Sequence, residues 1–196
     1  MKVCIFGDSI TWGANDVEKG GWAERLKTFY MAEDEIVIYN LGVRGDKTED
    51  IVKRFDIEAV GCNAGAVIFA VGINDSQYIN HKDNTRVSLE QFKNNFELLL
   101  AKAQQITNKV LVVGLTRVDE SKTMPVPWAH TKYYDNEVIE LYDSDLKTFC
   151  EEKYVPYLDM HDLIATSEMT DGLHPDALGH KKMFERIRPE LEKLVS

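Results

Sequence analysis

Residues 3–9 read VCIFGDS, four apolar residues that run into a glycine and two polar residues, and this segment indicates the class of fold. A short run that is apolar at every position is typical of a strand covered on both faces of a parallel sheet. Similar runs recur along the chain at residues 36–39, 66–71, 110–113 and 155–158. The sequence therefore predicts five buried strands.

The segments between these runs carry apolar residues at helical spacing. The apolar faces contain Trp22, Leu26 and Phe29; Leu89, Phe92, Phe96, Leu99 and Ala103; Val138, Tyr142, Leu146 and Phe149; and Ala177, His180, Phe184, Ile187, Leu191 and Leu194. A further helix is expected to begin near Lys47. Ser88 and Gln91 have the form of a capping box, and Pro175 suits the first turn of the last helix. Alternating strands and helices predict an α/β fold with helices on both faces of the sheet.

Length and composition indicate one domain spanning residues 1–196. The chain is 44% hydrophobic and 29% charged, which is ordinary for a globular protein. Its 33 acidic and 23 basic residues give a net charge of −10. This balance argues against a broad nucleic-acid-binding surface, a polybasic membrane anchor and a polyanionic substrate.

The cysteines and the amino-terminal residues indicate the cellular setting. Cys4, Cys62 and Cys150 lie far apart without metal-ligand spacing, so neither a disulfide framework nor a zinc site is expected. Cys4 and Cys150 fall in apolar stretches and are expected to be buried. Met1 and Lys2 lead directly into the first strand, which leaves no room for a signal-peptide core, and no segment is long enough to span a bilayer. We therefore expect a cytoplasmic protein.

Ligands bind beyond the carboxyl ends of the strands in sheets of this kind, and Ser9 follows the first strand. A serine on a tight turn into a helix exposes its hydroxyl as a nucleophile, although an N-cap serine fits the same position. The GxGxxG and GKS/T phosphate-binding patterns do not occur at this turn.

Two further segments place polar groups at the same end of the sheet. Gly42 and Gly45 follow the second strand, where a glycine lets a backbone N–H approach a reacting atom. Asn74 follows the third strand and offers a neutral donor for an oxyanion. Ordinary turn or cap chemistry accounts equally well for each of these residues on its own.

Asp171 and His174 lie between the last strand and the last helix. An aspartate three residues before a histidine can accept a hydrogen bond from Nδ1 and leave Nε2 free as a base, although unrelated residues on a surface loop are the simpler alternative. A nucleophile, oxyanion donors and an oriented base at one end of one sheet together indicate acyl transfer.

At these residues the sequence resembles the GDSL esterase/lipase family, also called SGNH hydrolases. Gly7-Asp8-Ser9 matches the family's first block, Asn74 its third, and Asp171 with His174 its last. Gly45 matches the second block better than Gly42, because Gly-Asp-x-Thr begins there. The blocks occur in family order over nearly the whole chain, and Ile10 replaces the leucine of the family name.

The resemblance implies a three-layer α/β/α sandwich with a flavodoxin-like five-stranded parallel sheet. It also implies ester hydrolysis through an acyl-enzyme, with Ser9, His174 and Asp171 as a catalytic triad. The oxyanion hole would consist of the N–H groups of Ser9 and Gly45 and the Asn74 amide. This chemistry requires no metal or organic cofactor.

A long aperiodic segment at residues 116–134 lies on the ligand side of the sheet, where such loops are often functional. We expect Trp128 and Tyr133 from this segment, together with Trp12, to form part of the substrate wall, although an aromatic loop pinned to the surface fits equally well. His180 is expected to be packed under the site.

No amphipathic lid or lipid anchor is visible in the sequence, so small soluble esters are the expected substrates. His81, His130 and His161 are expected on the surface or in loops. A non-catalytic domain that binds a small molecule is the alternative function, but a binder would not need the Asp171–His174 pair.

Overall fold

The computed structural model describes residues 1–31 and 35–196. Its strands, in chain order, are β1 (Lys2–Gly7), β2 (Val37–Gly42), β3 (Ala66–Ala70), β4 (Tyr78–Ile79), β5 (Val110–Val113), β6 (Lys132–Tyr133) and β7 (Tyr157–Leu158). Five of them form a parallel sheet in the order β2-β1-β3-β5-β7, while β4 and β6 form a small antiparallel pair. This strand order is flavodoxin-like, so the predicted sheet is confirmed.

The helices pack in two groups. They are α1 (Ser9–Trp12), α2 (Trp22–Tyr30), α3 (Thr48–Cys62), α4 (Ile73–Ser76), α5 (Leu89–Gln104), α6 (Glu120–Thr123), α7 (Asn136–Lys153) and α8 (Ala177–Val195), with a 3₁₀ turn at Thr166–Glu168. Helix α2 packs against α8, whereas α5 packs against both α3 and α7. The sheet separates these groups and gives the three layers.

The central strand β1 shows why helices cover both faces of the sheet. Val3, Cys4, Ile5 and Phe6 are all fully buried. Since successive side chains of a strand point to opposite faces, both faces must be covered. On one face the Phe6 ring contacts the rings of Phe55 and Phe69, with centroids 4.8 and 6.0 Å away.

Four of the five predicted sheet strands have different bounds in the structure, and β1 extends one residue further at each end, over Lys2–Gly7. Strand β2 runs to Gly42 rather than residue 39, because its pairing with β1 continues until Gly42 lies opposite Gly7. Strand β7 begins at Tyr157 rather than residue 155, since the Val155 N–H donates to the end of α7 and Pro156 has no N–H. Strand β3 ends one residue early, at Ala70.

The cap geometry corrects one predicted helix start, that of α8, and confirms Ser88 as the N-cap of α5. Pro175 lies outside α8, because the Asp176 carboxylate caps that helix by accepting from the N–H groups of Leu178 and Gly179. The Ser88 hydroxyl accepts from the Gln91 N–H at 3.2 Å, as a capping box requires. The Gln91 side chain, however, donates to Asn95 instead of returning to Ser88.

The segment 116–134 contains regular structure, namely α6 and β6. Cys4 and Cys150 are buried as predicted, and Cys62 is partly exposed. Within residues 1–31 and 35–196, no helix combines the length and the apolar character that crossing a bilayer demands.

Candidate active site

The Ser9 hydroxyl lies just beyond the carboxyl end of β1, where the chain turns directly into α1. Asp8 caps this helix: its Oδ1 atom accepts a hydrogen bond from the Ile10 N–H at 2.9 Å. The alternative that Ser9 is the N-cap is therefore wrong. Ser9 is the first helical residue, and its hydroxyl is free to contact a histidine from the other end of the chain.

The His174 ring joins Ser9 to Asp171 in one chain of hydrogen bonds. His174 Nε2 lies 2.8 Å from Ser9 Oγ, although 165 positions separate the two residues. His174 Nδ1 lies 2.7 Å from Asp171 Oδ2. When the Nδ1 proton is donated to this carboxylate, Nε2 is left to accept the proton of the serine.

Asp171 also fixes the backbone of the turn that carries His174. Its Oδ1 atom accepts from the N–H groups of Leu173 at 3.0 Å and of His174 at 2.8 Å. Between them, Gly172 has a φ of +88°, a conformation that favours glycine. The carboxylate thus orients the histidine through both its ring and its backbone.

The charge of Asp171 is maintained by the same hydrogen bonds. Burial opposes ionisation of this carboxyl, but the bonds from the His174 side chain and backbone outweigh it and hold the pKa of Asp171 well below its ordinary value. For Asp8 the balance is reversed: burial raises the pKa of that carboxyl to about 6 against the bond from Ile10. Asp171 therefore stays ionised beside the histidine.

The Asn74 amide lies in the first turn of α4, directly after β3, and is held at both ends. Its Nδ2 donates to the Asp46 carbonyl at 3.0 Å, and its Oδ1 accepts from the Tyr134 hydroxyl at 2.6 Å. Burial raises the pKa of Tyr134 well above its usual value, so this hydroxyl keeps its proton and acts as a donor. The two contacts define which edge of the amide is the donor edge.

The loop after β2 carries Gly45 and is anchored by Arg54 of α3. Arg54 Nη2 donates to the Leu41 carbonyl at 2.8 Å, and Nε donates to Asp46 Oδ2 at 2.9 Å. Gly45 has a φ of +83°, while no heavy atom lies within 4 Å of the position its Cβ would take. Gly42, by contrast, packs directly against the backbone of α1. Only Gly45 of the two glycines therefore presents an open backbone at the site.

A cavity of about 320 Å³ connects these groups. It is lined by Ser9, Arg44, Gly45, Asn74, Gln77, Arg86, Trp128, Lys132, Tyr134, Leu173 and His174. The structure thus brings Ser9, Gly45, Asn74 and His174 to one cavity, and Asp171 lies behind the His174 ring.

The three predicted wall residues have different positions. The Trp128 ring lines the cavity and stacks on the His174 ring, with centroids 6.5 Å apart. Trp12 does not line the cavity. The Arg44 guanidinium carbon lies over its ring, 5.2 Å from the ring centroid. Tyr133 is turned away from the cavity and stacks on Tyr78 at 5.1 Å. The structure therefore brings only Trp128 of the three to the cavity wall.

Sequence reasoning missed Tyr134 and the cationic side chains of the cavity. Tyr134 directly follows the last residue of β6, Tyr133, and adjacent side chains of an extended segment point to opposite sides. Two residues of β6 are too few to reveal which side faces the site. Arg86 lies in an irregular segment between β4 and α5, where no apolar period indicates an orientation.

The remaining histidines lie away from the Ser9 hydroxyl. His180 is fully buried and donates from Nε2 to the Ala14 carbonyl at 2.9 Å, as expected of a packed histidine. Burial lowers its pKa, so the ring is neutral. His81 and His130 are exposed, and His161 is partly exposed. Among the described residues, no group of three or more His, Cys, Asp or Glu is arranged to hold a metal ion.

Comparison with known proteins relates this chain to hydrolases. The profile of the GDSL-like Lipase/Acylhydrolase family matches residues 5–182. The chain is 24% identical over 211 residues to a GDSL esterase/lipase of Arabidopsis thaliana, covering 98% of this chain and 86% of that protein. It is also 24% identical over 212 residues to isoamyl acetate-hydrolyzing esterase 1 homolog of Bos taurus, covering 100% and 83% of the two proteins.

Solved structures share the fold. A lipase/acylhydrolase from Enterococcus faecalis superimposes with a TM-score of 0.81 at 21% identity, covering 98% of this chain and 95% of that one. The acetylxylan esterase Axe2 from Geobacillus stearothermophilus gives a TM-score of 0.76 at 17% identity, with 97% and 93% covered. At these identities the likeness describes the arrangement of strands and helices.

Proposed function

The chain belongs to the GDSL-like lipase/acylhydrolase family of carboxylic ester hydrolases, and we propose that Ser9, His174 and Asp171 are its catalytic residues. The observation that carries the proposal is the unbroken series of hydrogen bonds from Ser9 Oγ through the His174 ring to the Asp171 carboxylate. A module that only binds a ligand has no need of this arrangement.

In the acylation step, Ser9 Oγ attacks the ester carbonyl while His174 Nε2 takes the serine proton. The imidazolium then returns this proton to the leaving alcohol, and the Asp171 carboxylate stabilises the cationic ring in between. Water repeats the sequence against the acyl-enzyme, with His174 again as the base, and releases the carboxylic acid. Ser9 is regenerated, so the cycle is complete with the chain's own residues.

Three donors are proposed for the negative charge on the carbonyl oxygen: the backbone N–H groups of Ser9 and Gly45 and the Asn74 amide. Support comes from the common cavity and from the anchoring of Asn74 by the Asp46 carbonyl and Tyr134. Fixed donors stabilise developing charge without reorganisation during the reaction. We expect Asn74→Ala to lower kcat by about 10²- to 10³-fold.

Small esters with short acyl groups are the proposed substrates. A cavity of about 320 Å³ with Trp128 as one wall suits a compact ester. Two similar proteins are named for acetate esters, the isoamyl acetate-hydrolyzing esterase homolog and the acetylxylan esterase. The Trp128 ring against His174 would limit the size of the group beside the scissile bond.

Substitution of Ser9 tests the catalytic assignment. Release of p-nitrophenol from p-nitrophenyl acetate should fall by about 10⁴-fold or more in Ser9→Ala, because the nucleophile is removed. The melting temperature should stay close to that of the wild type. Ser144→Ala, which changes an exposed serine of α7, is the matched control and should retain full activity.

Covalent labelling provides an independent measurement. A serine-directed phosphonate should modify Ser9 in the wild type and leave Ser9→Ala unlabelled by mass spectrometry. Ester hydrolysis at the wild-type rate by a folded Ser9→Ala variant would contradict the proposal.

A further inference from the structure

The charge of the cavity is opposite to the charge of the whole molecule. The chain has a net charge of −10, yet the cavity around Ser9 is lined by Arg44, Arg86 and Lys132. No Asp or Glu is among its lining residues in the described part of the chain. A cation-lined cleft in an acidic protein concentrates anions at that point of the surface.

These cations lack the partners that most others on this protein have. Arg54 pairs with Asp46, Arg25 with Asp16 and Lys82 with Asp135. Within residues 1–31 and 35–196, by contrast, no carboxylate lies within 4.0 Å of the charged atoms of Arg44, Arg86 or Lys132. Their charge is not neutralised by the protein.

The nearby carboxylates are engaged elsewhere. Asp171 bonds to His174, and Asp46 bonds to Arg54. Asp8 is buried and accepts from the Ile10 N–H. None of these groups therefore competes with a ligand for the cations of the cavity.

Neutral groups hold the two guanidinium groups in place. Arg86 Nη2 donates to the Gly45 carbonyl at 3.4 Å, and Nη1 donates to Gln77 Oε1 at 3.5 Å. The Arg44 guanidinium lies over the Trp12 ring at 5.2 Å, an attractive contact that leaves its N–H donors available. Both groups are thus positioned and charged, and each offers the fork of donors that fits a carboxylate or a phosphate.

We propose that the substrate of this enzyme is an anionic ester, whose carboxylate or phosphate group binds to Arg44, Arg86 and Lys132 while Ser9 attacks the carbonyl. This inference rests on the proposed function and adds the substrate class to it. A short ester bearing a single anionic group fits both the size and the charge of the cavity.

A pair of adipate esters, one anionic and one neutral, tests the proposal. Mono-p-nitrophenyl adipate carries a free carboxylate, whereas its methyl ester is neutral, and both release p-nitrophenol. At low ionic strength kcat/KM should be about tenfold higher for the anionic ester, and the preference should shrink in 0.5 M NaCl because salt screens the attraction. Equal values for the two esters would overturn the proposal.

Variants identify the groups responsible. R44Q, R86Q and K132Q should each lower kcat/KM for the anionic ester by about tenfold relative to the neutral ester, mainly through KM. K147Q, which removes an exposed cation of α7 that does not line the cavity, is the matched control and should leave kcat/KM for both esters unchanged. Equal losses for both esters would show instead that the cations assist the oxyanion of any substrate, and the proposal would fall.

Binding to Ser9→Ala separates this inference from the proposed function. Isothermal titration should show that the variant binds the anionic ester more tightly than the neutral one, and that R86Q removes the difference. Binding without hydrolysis by the wild type would retain the anion site and contradict the proposed function. Hydrolysis of both esters at equal rates would support the proposed function and contradict the anion site. Competition by phenyl phosphate and by monomethyl adipate then distinguishes phosphate from carboxylate recognition.

Discussion

The orientation of a single amide, that of Asn74, depends on two neighbours from distant parts of the chain. The Asp46 carbonyl accepts from its Nδ2, and the Tyr134 hydroxyl donates to its Oδ1. An amide rotated by half a turn would place its oxygen where a donor is needed and repel an oxyanion. Tyr134 is therefore a positioning residue in the proposed mechanism.

We expect Tyr134→Phe to lower kcat by about three- to tenfold with little change in KM, the effect of one hydrogen bond. The ring and its packing remain, so the melting temperature should change little. Tyr133→Phe is the matched control, because its hydroxyl only reaches the His130 carbonyl at 3.4 Å on the surface. Kinetics with p-nitrophenyl acetate measure both variants.

A double-mutant cycle sharpens this test. If Tyr134 acts through Asn74, Tyr134→Phe should have no further effect on kcat in an Asn74→Ala background. Additive losses would instead mean that the tyrosine contributes independently.

At the scale of single residues, the sequence predicted the candidate site residues better than the residues that hold them in place. Ser9 and Asn74 belong to short motifs at strand ends and His174 to a short motif before α8, and the structure brings all three to one cavity. Tyr134 and Arg86 belong to no motif, because their roles depend on tertiary contacts. Tyr133 was predicted at the cavity wall, but its ring stacks on Tyr78, while the neighbouring Tyr134 reaches Asn74.

At the scale of elements, a buried polar network ties three helices together beneath the site. The Asp75 carboxylate of α4 accepts from the backbone and hydroxyl of Thr48 at the start of α3. That hydroxyl in turn accepts from Asn95 of α5 at 2.8 Å. Since Asp75 follows Asn74 directly, the network also fixes the turn that carries the amide.

The network predicts a pH dependence of stability. Burial raises the pKa of Asp75 from 3.8 to about 7 despite its bonds to Thr48. The folded state therefore holds this proton more tightly than the unfolded state, and the free energy of unfolding should fall as the pH rises between about 4 and 7. The slope from one such proton approaches about 1.4 kcal/mol per pH unit.

Urea unfolding of the wild type and Asp75→Asn at several pH values measures this contribution. The amide cannot ionise, so the variant should show a flatter pH profile, and any lost hydrogen bond should shift it by a constant amount. Asp162→Asn, an exposed carboxylate paired with Arg117, should keep the wild-type slope. A variant profile parallel to that of the wild type would contradict the assignment to Asp75.

Sequence periodicity was sufficient to predict the five sheet strands and the long helices, but not their ends and not short elements such as α6 and β6. The five sheet strands were all found, because apolar runs covered on both faces are unmistakable. Strand β2 extends to Gly42 through pairing with β1, and the cap of α8 moves to Asp176 through its side-chain bonds. Such limits depend on partners that lie elsewhere in the chain.

At the scale of the whole molecule, two of the three cysteine thiols are buried in the core that surrounds the sheet. Cys4 lies in β1 and Cys150 in α7, and burial raises the pKa of each to about 12. Thiolate formation, and with it reactivity, is therefore suppressed in the folded state. Cys62 at the end of α3 is partly exposed.

Thiol titration should accordingly report global unfolding. A disulfide reagent should label Cys4 and Cys150 only as denaturant unfolds the protein. Cys62→Ser should keep this slow phase. Rapid labelling of more than one thiol in native buffer would contradict the burial of the sheet.

The fold class followed from alternating strands and helices, whereas the local charge of the cavity did not follow from the net charge. The net charge of the sequence does not reveal that Arg44, Arg86 and Lys132 line the same cavity. Most other cations have carboxylate partners, so the acidic excess lies elsewhere on the surface.

The separation of 165 positions between Ser9 and His174 has a consequence for biosynthesis. A ribosome translates the proposed nucleophile early and its proposed base late, so a nascent polypeptide carries Ser9 without the histidine that is proposed to deprotonate it. Hydrolysis would begin only after His174 has left the exit tunnel and α8 has docked against α2. Truncated translation products that lack His174 would hence be inactive in the proposed mechanism.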